Sequence, residues 1–321
     1  MSDGEHRQPL RAMLILTENH TLVDPDDLAG LVDLATMAER AGFDAVMLSD
    51  HVCLGPEAGA LGRPANPREY AAPGNQDPAT SWPSSIVIAS AIAAATERVR
   101  IALAALITPL RNPVVLAKDL ATLDRLSRGR LVVQPTVSWS REEYAAVGVP
   151  FDRRGRVLDE GLAAMQALWS STPASHRGEH FEFSDVYCEP SPMRAAGPTL
   201  WFGGQRMHPA LVRRLVEHGA GFHPFGEPTA DDLRLLTTAM AAAGRSMAEL
   251  ELIGGTRARF VGADDVADLD DAMRDVPDQV AAGYTTFCMK PSQHTDDIGE
   301  VEGLCRRMVG HLARLEDERS G

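Results

Sequence analysis

The sequence predicts an α/β fold, a closed (β/α)8 TIM barrel forming one domain over residues 1–321, and three observations predict it. Short apolar runs alternate with longer amphipathic ones, the pattern of parallel strands joined by helical crossovers. Eight such runs follow one another with no shift in composition that would divide the chain. No G-x-G-x-x-G follows the first run, which disfavours the doubly wound alternative.

The elements read in order. Strands are predicted at 12–16, 43–48, 99–107, 131–137, 199–202, 222–225, 250–253 and 285–289. Asp24 and Pro25 read as the N-cap and first residue of a helix, with Asp26 and Asp27 in its first turn and Gly42 as its stop. Asn112 and Pro113 open a helix that Gly129 closes; others run over 84–95, 156–169, 208–218, 230–243 and 297–315. Residues 52–83 and 171–198 are rich in proline and glycine and predict extended loops after the second strand and after the fourth. Loops of that length are lids, binding loops or surface insertions. Residues 1–9 and 316–321 are polar or charged and predict disorder at both ends.

Composition narrows the partners. The net charge is -14, which opposes a nucleic-acid surface. No apolar run reaches the length of a membrane span, and the first 25 residues lack a signal-peptide pattern. Cys53, Cys188, Cys288 and Cys305 have no zinc-like spacing and predict reduced thiols of a cytoplasmic protein; no metal site is predicted.

In a parallel barrel the chemistry lies where the strands end. The second strand ends Ser49-Asp50-His51, which places an imidazole at the mouth, suited to moving a proton near neutral pH. In the fourth strand Gln134, Thr136 and Ser138 share one face, and the apolar opposite face should meet the helices. Three polar groups turned into a barrel require partners, either a ligand or ordered water. Pro135 cannot donate to the ladder and predicts a bulge or an early end. The fifth strand ends in Gly203 and Gly204 before a helix, so that backbone amides and Arg206 could meet a phosphate, or the glycines could form a tight turn. Small residues in the third strand, Ala102, Ala104 and Ala105, leave room for a flat ring or for close helix packing.

Several segments then resemble one family. Residues 38–51 (AERAGFDAVMLSDH), 109–131 (PLRNPVVLAKDLATLDRLSRGRL), 148–156 (GVPFDRRGR) and 197–204 (GPTLWFGG) are similar to the luciferase-like oxidoreductases, in order, over roughly residues 10 to 225. The resemblance implies a barrel that binds FMN or coenzyme F420 at the strand ends. It implies His51 as acid/base beside the ring, and the adjacent Asp50 is expected to orient it. The stretch Ala104, Ala105, Leu106 to Thr108 would lie against the ring, with a cis peptide between Ala105 and Leu106. Gly203, Gly204 and Arg206 would meet the phosphate, while Gln134, Thr136 and Ser138 hold the ring or its ribityl chain. One departure stands out: many members carry G-V-G-x-G-W where this chain has Gln134-Pro-Thr-Val-Ser-Trp139.

These readings lead to F420-dependent hydride transfer to or from a small organic substrate. The alternatives are an FMNH2-dependent monooxygenase with a flavin or F420 reductase as partner, and a non-catalytic ligand-binding paralogue. Similar barrels imply a homodimer.

Overall fold

The computed structural model describes residues 8–320. Strands β1 (Arg11–Ile15), β2 (Ala45–Leu48), β3 (Arg100–Ile107) and β4 (Leu131–Thr136) enter the barrel first. The hairpin β5 (Ala174–Arg177) and β6 (Glu182–Val186) stands outside it. The barrel then resumes with β7 (Thr199–Phe202), β8 (Gly221–Phe222), β9 (Glu251–Gly255) and β10 (Thr286–Met289). All barrel pairings are parallel, and β1 closes the ring by pairing with both β2 and β10.

The period of two in each strand makes two cores. Met13, Ala45, Met47, Ala102, Val132 and Trp201 fill the barrel. Their sequence neighbours Leu14, Val46, Leu48, Ile101, Leu103 and Val133 pack outward against the helices. The N-terminal floor is polar but closed: both outer nitrogens of Arg100 donate to Glu251 at 2.8 Å, and Thr286 donates to the same carboxylate.

Helices α1 (Leu28–Ala41), α2 (Ser85–Ala95) and α3 (Pro113–Leu126) fill the first crossovers, followed by α4 (Arg141–Ala146) and α5 (Arg154–Ser170). The later crossovers hold α6 (Pro209–His218), α7 (Ala230–Ala242), α8 (Leu269–Ala272) and α9 (Val276–Ala281), before the terminal α10 (Ile298–Ser320). Asn112 caps α3 through its side chain with Pro113 at the first position, and Gly42 ends α1 at φ 94°. The cap of α1 is Asp27, not Asp24; Asp24 instead accepts the Asp26 N–H in the preceding turn.

Two further expectations are corrected, and the extended segment after β4 takes one of its expected forms, a surface insertion. Residues 171–198 contain a β-hairpin fixed to the helical ring, away from the mouth. Glu160 of α5 accepts the N–H groups of Glu179, His180 and Phe181, and Asp124 of α3 accepts that of Met193 at 2.8 Å. Residues 316–320 continue α10, because Glu316 accepts the Leu10 N–H at 2.9 Å and joins the two ends of the chain. Residues 1–7 and 321 of the two predicted disordered ends lie outside the described residues. The strand expected at 222–225 is only Gly221–Phe222, since β8 turns away after pairing with Trp201 and Phe202.

Candidate active site

A groove of about 410 Å³, open to solvent, lies across the C-terminal ends of β2, β3, β4 and β7. Its position follows from the fold, because only there do loops rather than helices cover the strands. Ser49, Asp50 and His51 line it from β2, Ala105 and Ile107 from β3, and Thr136, Ser138 and Trp139 from β4. Gly203, Gly204 and Gln205 follow β7, and α6 contributes His208, Leu211 and Arg214. Pro73 of the long loop over residues 52–83 reaches the same groove, so that loop does border the mouth.

His51 is held on three sides. Its Nδ1 lies 3.4 Å from Oε2 of Glu143, and the rings of Trp82 and Trp139 meet it edge-on at 4.9 and 5.8 Å. Glu143 is fully buried. Its Oε1 also accepts the Val52 N–H at 2.6 Å, so one carboxylate fixes both the imidazole and the chain leaving β2. With Nδ1 committed to Glu143, Nε2 is the nitrogen left to exchange a proton with a ligand in the groove.

Asp50 has a different task from the one expected. Its oxygens accept from Ser85 Oγ at 2.9 Å, the Ile107 N–H at 3.0 Å, and both outer nitrogens of Arg111 at 2.8 and 2.9 Å. It ties β2 to the end of β3 and does not orient His51. Glu143 escaped the sequence reading because it lies 92 residues beyond His51, on the six-residue helix α4. A signal was present. Ser140 stands three residues before Glu143, and its Oγ accepts the Glu143 N–H at 3.2 Å, the capping pattern that starts a helix.

The third strand is re-phased at its end. The cis peptide joins Ala104 and Ala105, one residue earlier than expected, and the pairing with β4 slips between Ala104 and Leu106. Before the slip Ala102 and Ala104 face the barrel interior; after it Ala105 and Ile107 line the groove and Leu106 packs outward. Thr108 is buried and donates to the Leu106 carbonyl at 3.3 Å. Of the four expected ring contacts on this strand, Ala105 alone lines the groove.

On β4, Thr136 and Ser138 reach the groove, whereas Gln134 points beneath it. Gln134 is buried and its Oε1 lies 2.9 Å from Nδ1 of His223. Burial lowers the His223 pKa to about 4. Ser138 has φ 56°, the left-handed conformation that glycine adopts without steric cost. The chain therefore follows a path that glycine favours at the position where related sequences have the last glycine of G-V-G-x-G-W.

The glycine pair divides. A Cβ on Gly203 would stand 1.7 Å from the His223 carbonyl oxygen, so packing alone requires glycine there. A Cβ on Gly204 would meet nothing closer than 3.6 Å, and its open backbone faces the groove. Arg206 is exposed and outside the groove lining; Arg214, held by Asp159 at 2.7 Å, is the arginine that lines it.

The sequence from residue 11 to 302 matches the luciferase-like monooxygenase family. This chain belongs to that family. It is 39% identical over 110 residues to an uncharacterised protein of Mycobacterium tuberculosis, covering 34% of this luciferase-like chain and 39% of that protein. It is 29% identical over 174 residues to an FMNH2-dependent dimethylsulfone monooxygenase of Pseudomonas putida, covering 53% of the chain and 42% of the relative. The matches thus span about two-fifths of those relatives' lengths. The fold is also that of an F420-dependent secondary alcohol dehydrogenase, with a TM-score of 0.69 at 14% identity over 95% of this chain and 99% of that one. Among the described residues no helix is long and apolar enough to cross a membrane.

Proposed function

We propose that this luciferase-like chain is a reduced-FMN-dependent monooxygenase acting on a small organic substrate, with His51 as its proton-transfer residue. The single observation that carries the reading is the His51–Glu143 pair set at the edge of a groove of cofactor size. Ligand pockets run from about 300 to 1000 Å³, and this groove, at about 410 Å³, lies within that range. Ala105, Ile107, Phe202 and Leu211 give it an apolar wall suited to a flat ring. Ser138, Gly204, Gln205 and Arg214 give it a polar end suited to a phosphate-bearing tail. The residues present fit a flavin mononucleotide.

Reduced FMN, when bound, supplies two electrons that split dioxygen between substrate and water. The chain's own residues bind, position and exclude water. Trp82 and Trp139 flank His51 and leave its side chain only 9% exposed, which limits competing proton exchange with bulk water. Glu143 stabilises the imidazolium when Nε2 has taken a proton and restores the neutral ring when Nε2 gives it up.

Similarity in sequence to a reduced-FMN enzyme supports FMN in this reading, whereas the likeness to an F420 enzyme is one of fold. F420-dependent hydride transfer remains the second reading, favoured by the same imidazole, which would move the accompanying proton. Two experiments test the pair. Fluorescence titration with FMN and with F420, each oxidised and reduced, is expected to give saturable binding of reduced FMN. Oxygen uptake in the presence of reduced FMN and dimethylsulfone or a related small sulfur compound should be stimulated, and lost in His51→Ala. Binding of F420 alone would replace the first reading with the second. Failure of both cofactors to bind at about 100 μM, roughly -5.5 kcal/mol, would overturn the enzymatic reading.

A further inference from the structure

A second cleft, of about 300 Å³, opens beside the groove, between the chain following β1 and the end of β10. Trp82 lines the cleft, and its ring meets edge-on, at 4.9 Å, the ring of His51, which lines the groove. The cleft wall is largely apolar, with Pro25, Pro64, Pro67 and Ala71 beside Trp82.

Of the nine polar residues that also line the cleft, two are buried, Lys290 and Gln76. Lys290, 1% exposed, donates from Nζ to one acceptor, the backbone carbonyl of Glu69 at 2.9 Å, and forms no ion pair among the described residues. Gln76, 8% exposed, has its side-chain oxygen buried without a partner. Lys290 Nζ also lies over the Tyr70 ring, 5.3 Å from its centroid. This ammonium, withdrawn from water, thus has one neutral acceptor and one aromatic face beside it and no ion-pair partner among the described residues. Burial accordingly lowers the Lys290 pKa, with the charge of Glu18, which lines the same cleft, opposing.

Of the three carboxylate residues that line the cleft, Glu18, Glu69 and Asp77, two hold partners of their own. Glu18 accepts the Ala71 N–H at 2.8 Å, and Asp77 pairs with Arg63. The Gln76 amide can turn about its terminal torsion to present either its oxygen or its NH2 group.

We propose that this cleft is the substrate compartment, and that Lys290 and Gln76 anchor the carboxylate of a small organic acid whose apolar body lies along Trp82 towards His51. A carboxylate neutralises the buried ammonium and accepts from both side chains; a neutral oxygen does only the second. The inference rests on the functional reading above, since it assigns a substrate class to that same site.

The test compares carboxylates with neutral counterparts on the full chain by isothermal titration calorimetry. Acetate, hexanoate, octanoate and benzoate are set against the matching amides and alcohols. In the wild type the carboxylates of fitting size should bind about tenfold more tightly than their neutral counterparts, the effect of one charge-assisted contact. In Lys290→Met that preference should vanish while neutral binding is retained. A lysine that only clamps the loop at Glu69 would, on removal, weaken charged and neutral ligands alike. If Lys290→Met does not fold, Gln76→Leu serves instead, with a severalfold loss of the same preference expected. The proposal is overturned if no carboxylate is preferred by the wild type, or if the preference survives in the variants.

Titrating FMN and F420 into the same proteins separates this from the functional reading. Cofactor binding without carboxylate preference defeats the anion site alone. A Lys290-dependent preference without cofactor binding defeats the functional reading and leaves the anion site standing.

Discussion

Glu143 Oε2 approaches His51 Nδ1 at 3.4 Å while its other oxygen holds the Val52 N–H at 2.6 Å. One buried carboxylate thus sets both an imidazole and the start of the loop over residues 52–83. Replacing it with alanine strands a buried donor and unties the loop, at a cost of about 3 kcal/mol. Glu143→Gln keeps an acceptor for Val52 and should cost less than half as much. Urea unfolding measures both. In turnover, Glu143→Gln should behave like a milder His51→Ala, whose loss is expected to be about 10²-fold or more.

Asp50 should act through stability and not through proton transfer. Its carboxylate is withdrawn from water and satisfied by Arg111, Ser85 and the Ile107 amide. Asp50→Ala leaves Arg111 without its partner and should lower the unfolding free energy by about 3–5 kcal/mol. Ser85→Ala should cost about 1 kcal/mol. A thermal melt showing Asp50→Ala as stable as the wild type would contradict this assignment.

The two glycines after β7 should respond differently to alanine. Gly203→Ala drives a methyl into the His223 carbonyl and should destabilise the fold by more than about 2 kcal/mol. Gly204→Ala meets only ordinary contacts, so its fold should be unchanged within about 1 kcal/mol while cofactor affinity falls. Ser138→Gly relieves a left-handed backbone and should raise stability by about 1 kcal/mol. Melting temperatures alongside FMN titrations separate these effects.

Acid should weaken the barrel through His223. Burial lowers its folded pKa to about 4 against an ordinary value of 6.5. Between those values the unfolded chain binds the proton that the folded chain refuses, so stability falls as pH drops through that window. The loss amounts to about 3 kcal/mol at most and levels off below pH 4. Unfolding free energies measured from pH 7 to pH 4 should show this limb, and His223→Asn should flatten it.

The sequence by itself determined the barrel, the order of its strands and the placing of His51 at a strand end, because hydrophobic period and capping residues are local signals. The period of two in Leu131–Thr136 was enough to turn Gln134 inward and Thr136 towards the mouth. What each side chain met there was decided by closure of the ring. Closure brought Glu143 to His51 and Arg111 to Asp50, and laid Gln134 against His223. The slip after Ala104 exchanged Leu106 for Ile107 at the groove, and the turn of α6 presented Arg214 instead of Arg206. Those pairings join residues far apart in the chain, and steric fit between elements selects them. No run of neighbouring residues encodes such fit, so only the tertiary structure could assign the partners.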